Sequence, residues 1–167
     1  MADIYMQDKR SKSKVAPYSW GFKSEEALKN GYDKKATTFF ECLAKDFSNF
    51  RFIFGKKFAF KPPKTIVIGP YEPFYRLLSL HEVSHALLRH KDFKTDVARL
   101  KMENAAWEKA KELANNYNIE VDEDMIQGEL DTYRDWLHQK SRCPKCGLTR
   151  FQTPDSQYHC PLCENLK

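Results

Sequence analysis

Two histidines four residues apart with a glutamate after the first, His81-Glu82-Val83-Ser84-His85, form the pattern HExxH. On a helix turning about 100° per residue both imidazoles lie on one face, one turn apart, where two ring nitrogens can converge on a single Zn²⁺. Glu82 projects beside them. It can act as general base toward a zinc-activated water and as general acid toward a leaving amine, the chemistry of peptide-bond hydrolysis. The alternative is an accidental pair of helix histidines with a surface glutamate. That reading fits poorly here, because Leu77, Leu78, Leu80, Val83, Ala86, Leu87 and Leu88 make the segment apolar on most sides. Two imidazoles and a carboxylate buried there without a partner would cost several kcal/mol.

A catalytic zinc takes a third protein ligand and keeps one position open. The extended pattern HExxHxxGxxH would need glycine at 88 and histidine at 91, where this chain has Leu88 and Lys91. His90 is a poor substitute, since five residues after His85 it lies about 140° round a continuing helix. The next expected helix, from about Thr95 to Tyr117, carries the stripe Leu100, Ala106, Trp107, Ala110, Ala114 and Tyr117, with Glu103 near its middle. A carboxylate at that position needs a cation, so Glu103 is either the third zinc ligand, the preferred reading, or half of a buried ion pair. Glu108 projects about 140° away with Lys101 and Glu112, as on a solvated face.

Residues His81 to Ala114 resemble the ImmA/IrrE family of prokaryotic HExxH metallopeptidases, in which a downstream glutamate completes the zinc site. The family's Glu-x-x-Ala-Asn signature is matched at the glutamate and the alanine by Glu103-Asn104-Ala105-Ala106-Trp107, with tryptophan in place of asparagine. The resemblance implies a zincin-like fold and a cytoplasmic peptidase that cleaves a protein, often a regulatory one such as a repressor. A SprT-like protease, which joins an HExxH core to a zinc ribbon and acts on DNA-bound proteins, is the nearest rival. It expects a third histidine, and none occurs between His90 and His138. A non-catalytic zinc protein that binds DNA or another protein is the rival from a different class.

A second set of metal-ligand residues closes the chain. Cys143-Pro-Lys-Cys146 and Cys160-Pro-Leu-Cys163 are two Cys-x-x-Cys pairs separated by 13 residues. Four thiolates close a tetrahedral zinc site with no open position, which makes the expected ion structural, and the pattern is that of a zinc ribbon. Arg142, Lys145 and Arg150 can offset the charge of four thiolates. His159 reads as exposed or supporting rather than as a ligand. The ribbon suits docking or substrate recognition, with contact to DNA or a DNA-bound protein as the alternative.

The elements that must position these groups are legible from periodicity. Ser24, Glu25 and Glu26 with Gly31 read as a short capped helix; Ala36, Phe39, Phe40, Leu43 and Phe47 read as an apolar helical stripe over about 34–48, opened by Asp33. Cys42, beside that stripe, reads as a small buried hydrophobe. Alternation of Phe50, Phe52 and Phe54, then of Phe58 and Phe60 across Gly55, predicts a β-hairpin, and Thr65-Ile66-Val67-Ile68 a further short strand. The motif helix follows over about 72–89. The last helix, from an Asp122 cap to His138, carries Met125, Ile126, Leu130, Tyr133 and Leu137 on one face, so Tyr133 reads as core, although its hydroxyl could reach a developing oxyanion.

The expected architecture is therefore α+β: a flexible arm over 1–22, a zincin-like metallopeptidase domain over 23–139 and a zinc ribbon over 140–167. A sheet edge near Lys57 to Ile68 would bind an extended substrate by strand addition. At 167 residues the chain can bury such a core without disulfides. Its net charge of +5 is spread along the sequence, the densest patch being Lys9, Arg10, Lys12 and Lys14. No run approaches the roughly 18 apolar residues of a membrane span, and the N-terminus lacks the apolar core of a signal peptide. A cytoplasmic protein with one catalytic and one structural zinc, a protein or peptide substrate and no membrane contact is expected.

Overall fold

The computed structural model describes residues 24–164, so the arm expected over 1–22 lies outside the described residues. Five helices and two small sheets follow one another as α1 (Ser24–Lys29), α2 (Lys34–Asp46), β1 (Arg51–Phe54), β2 (Ala59–Lys61), β3 (Thr65–Ile68), α3 (Tyr75–Leu87), α4 (Asp96–Asn116), α5 (Glu123–Ser141), β4 (Phe151–Gln152) and β5 (Tyr158–His159). Helix starts obey local chemistry. Asp33, Thr95 and Asp122 each accept a backbone N–H three residues on, from Ala36, Ala98 and Met125, satisfying donors that the first turn leaves free.

Helix α2 buries Ala36, Phe39, Phe40 and Leu43, as its stripe predicts. Cys42 is a correction: it is exposed, because its position on α2 falls just outside the stripe, flanked by exposed Glu41. The three-stranded sheet also departs from expectation. β1 and β2 are not paired as a hairpin; β3 lies between them, parallel to β1 (Phe52 opposite Ile66) and antiparallel to β2 (Phe60 opposite Ile66). The reason is burial. Ile66, Val67 and Ile68 are all buried and so demand neighbours on both sides, whereas the β1 and β2 phenylalanines are only partly covered. The link between β1 and β2 passes β3 closely: a Cβ on Gly55 would lie 2.5 Å from a Val67 methyl carbon, and one on Gly69 2.8 Å from the Phe58 nitrogen. β2 is consequently an open edge, while β3, within the span expected to form an edge, is central.

α3 runs against this sheet and packs most extensively on α4, so the motif helix is central as its composition requires. Leu77, Leu80, Val83, Trp107, Ala110, Ala114, Ile126 and Leu130 form the core between α3, α4 and α5. α3 ends in a Schellman turn: Arg89 adopts φ 56°, its N–H donates to the Ala86 carbonyl, and the His90 N–H donates back to the His85 carbonyl.

The C-terminal hairpin β4–β5 docks on the start of α4 through Asp96, which is 4% exposed. Asp96 Oδ2 accepts from the Tyr158 hydroxyl at 2.7 Å and from Gln152 Nε2 at 3.2 Å, and pairs with Lys140 Nζ at 2.7 Å; Gln152 Oε1 in turn accepts the Asp96 N–H. Burial would raise the Asp96 carboxyl, but hydrogen bonds from Lys140, Tyr158 and Gln152 hold it below its ordinary value. Lys140 itself lies over the Trp136 ring at 4.8 Å. Replacing Asp96 with alanine leaves these donors and Lys140 without their acceptor. The expected cost is about 2–3 kcal/mol, a fall in Tm of roughly 5–10 °C by thermal unfolding of the metal-loaded protein.

Candidate metal centres and cleft

His81, His85 and Glu103 converge where α3 crosses α4. The two Nε2 atoms lie 3.1 Å apart and Glu103 Oε2 is 3.3 Å from each, with all three residues buried. Two features of sequence produce this: the four-residue spacing stacks the imidazoles, and Glu103 takes an apolar-stripe position on the helix that faces them. A tetrahedral ion with ligands at 2.0–2.1 Å has ligand–ligand edges of about 3.3 Å, so the triangle has the dimensions of one face of such a site. Its electrostatics agree. Burial pushes His81 down to about 4, leaving it neutral at pH 7. Burial acts to raise the Glu103 carboxyl, but hydrogen bonds to His81 and His85 hold it at about 2. Two imidazole nitrogens and an ionised carboxylate oxygen at this spacing are donor atoms that a single cation can satisfy together. The group can hold a metal ion.

Neighbouring side chains orient the two imidazoles. Trp107 stacks on His81, ring centroids 4.0 Å apart at 25°; it is the tryptophan that stands where the ImmA/IrrE signature has asparagine. His90 Nδ1 lies 2.9 Å from His85 Nδ1. An imidazole that holds a metal through Nε2 carries its proton on Nδ1, so with an ion bound His85 would donate to a neutral His90; burial, its largest perturbation, lowers the His90 pKa and favours that neutral form. On a continuing helix His90 would lie about 140° from His85. α3 instead stops at Leu87, and the left-handed Arg89 folds His90 back beside His85. Arginine at a position that normally takes glycine hid the turn. Glu108 points away and pairs with Lys111 at 3.1 Å, as its helical angle predicts.

Glu82 is half-buried beside the triangle and accepts a hydrogen bond from the Phe60 N–H of edge strand β2. Burial pushes its carboxyl up to about 7. A cleft of about 290 Å³ opens at Glu82, His81, His85 and Glu103, and is lined as well by Lys57, Phe58, Phe60, Lys91, Phe93, Arg99 and Tyr133. Tyr133 is half-buried in that lining rather than sealed in the core.

The four cysteine sulfurs gather at the end of the chain, Cys143 to Cys163 at 3.9 Å and Cys146 to Cys160 at 3.5 Å. Four ligands at about 2.3 Å from one ion have edges of about 3.8 Å. Backbone N–H groups of Cys146 and Lys145 lower the Cys143 thiol to about 6, whereas hydrogen bonding to Cys146, burial and the other sulfurs push Cys163 up to about 12. Four sulfurs this close ionise together only around a cation, so the cluster can hold a metal and fits a zinc ribbon. Gly147, at φ 76°, turns the chain after the first pair, and the Cys143 N–H donates to the Leu148 carbonyl. His159 pairs with Glu164 and is not a ligand. Of the three basic residues expected to offset the thiolates, Arg150 lies over the Tyr158 ring and donates to the Lys140 carbonyl at the end of α5.

No protein-family model matches this sequence, and no curated protein or solved structure is significantly similar to it. The His85–His90 contact yields a specific expectation. His90→Ala should weaken metal binding at the histidine site about 10- to 100-fold in a chelator competition, while the four-cysteine ion stays bound.

Proposed function

We propose that this protein is a zinc metallopeptidase in which His81, His85 and Glu103 hold the catalytic zinc, Glu82 moves the proton, and Cys143, Cys146, Cys160 and Cys163 hold a structural zinc. The observation that carries the reading is the triangle of three donors in a cleft that edge strand β2 also lines, with Glu82 tethered to that strand. Imidazole and thiolate donors favour zinc over harder divalent ions. When bound to three protein ligands, such an ion lowers the pKa of water and polarises a carbonyl oxygen.

The chain's own residues supply the rest. Glu82, held by the Phe60 N–H, takes a proton at a carboxylate oxygen and returns it to the departing amine nitrogen. Strand β2 presents an edge along the cleft, so an extended peptide can lie beside Phe60 and pass over Glu82. Trp107 and His90 keep the imidazoles oriented. A zincin-like core and the peptidase activity implied by the ImmA/IrrE resemblance agree with this arrangement. Against the SprT-like alternative, no third histidine joins the cluster among the described residues, and His90 meets the far nitrogen of His85. No described helix is long and apolar enough to cross a membrane, and a cytoplasmic site of action with a protein substrate is part of the proposal.

Glu82→Gln is nearly isosteric and keeps an acceptor for Phe60. Zinc-loaded protein should cleave quenched peptide libraries, and Glu82→Gln should lower the rate about 10²- to 10⁴-fold with both ions still bound. Wild-type protein that carries both ions and cleaves nothing, or a Glu82→Gln variant as active as wild type, would leave a non-catalytic binding module as the better description.

A further inference from the structure

We propose that Arg99 is a specificity residue that binds a substrate carboxylate next to the scissile bond, an inference that rests on the peptidase reading and deepens it. Arg99 stands on α4 one turn before Glu103, on the same helix face, and lines the cleft. A turn of helix is about 5.4 Å, so an anion held by Arg99 lies within about one or two residues of the bond at the metal.

The guanidinium is fixed by three rings, with centroids 5.4 Å away at Phe93, 5.1 Å at Tyr133 and 5.1 Å at Trp136. Stacking engages the faces of a guanidinium and leaves its N–H edge available. Of its donors, one meets the Tyr133 hydroxyl, and among the described residues no carboxylate lies within ion-pair distance. A half-buried, immobilised fork with unspent donors matches the geometry of a carboxylate, which it binds by paired charge-assisted hydrogen bonds.

Charge in the cleft points the same way. Its cations are Lys57, Lys91 and Arg99; its carboxylates are Glu82 and Glu103, the second engaged by both histidines. A divalent ion on the donor set would offset both carboxylates and leave the three cations uncompensated. An acidic segment is attracted to such a cleft and a basic one repelled. The carboxylate can come from an Asp or Glu side chain within a chain or from a free C-terminus, and the two sources are separable.

The test reads binding, not turnover. Zinc-loaded Glu82→Gln protein is titrated by anisotropy with three short labelled peptides: a Glu-rich peptide with an amidated C-terminus, its Gln counterpart, and the Gln counterpart with a free C-terminus. Tighter binding of the first than the second, by about tenfold or more at low salt and shrinking as salt rises, assigns the site to acidic side chains; the same advantage for the third assigns it to a C-terminal carboxylate. Adding Arg99→Gln should erase the advantage. Lys57→Gln with Lys91→Gln, at two exposed positions, should reduce it a few-fold and leave the fold intact. Equal or undetectable binding of all three peptides overturns the proposal, as does a preference that survives Arg99→Gln. Hydrolysis of uncharged peptides by wild type would then still stand, so the two readings fail separately.

Discussion

Two imidazole nitrogens and a carboxylate oxygen held within 3.3 Å of one another between α3 and α4 are the constraint on which the rest of this structure depends. Three metal-binding side chains are costly to bury together, so the fold must hold them in place by other contacts. The α3–α4 packing does this with buried leucine, valine, alanine and tryptophan side chains, and Trp107 presses directly on His81. The sheet contributes through one strand. β2 faces α3, gives its Phe60 N–H to Glu82, and leaves an edge open along the cleft.

The two candidate metal sites share an element. α4 carries Glu103 in its third turn and Asp96 in its first, and Asp96 receives the hairpin that follows the first cysteine pair. The four-cysteine segment is thus anchored to the helix that carries Glu103. Lys140 and Arg150 tie the end of α5 into the same junction. The four-cysteine hairpin thus contacts α4 two turns from Glu103.

Local patterns carried much of this into the sequence. HExxH fixed the imidazole pair, helical angle separated Glu103 from Glu108, and the caps Asp33 and Asp122 marked where two helices begin. Features set by tertiary context were not legible. Strand order depends on which strand is buried on both sides, and alternation in Phe50 to Phe60 cannot distinguish a hairpin from two strands flanking a third. Cys42 lies about 60° beyond the Phe39 edge of the α2 stripe at 100° per residue, so the helical angle places it outside the core where residue type alone suggests burial. His90 reaches His85 only because Arg89 adopts a left-handed conformation that its residue type does not announce. The role of Arg99 likewise emerges only when Phe93, Tyr133 and Trp136, from other segments of the chain, close around it.

The central claim is that the histidine–glutamate triangle is a metal centre chemically distinct from the cysteine cluster. Zinc K-edge absorption spectroscopy on the saturated, washed wild-type protein addresses it directly. Two shells of comparable weight are expected, sulfur at about 2.3 Å and nitrogen or oxygen at about 2.0–2.1 Å. A spectrum accounted for by the sulfur shell alone would contradict the claim.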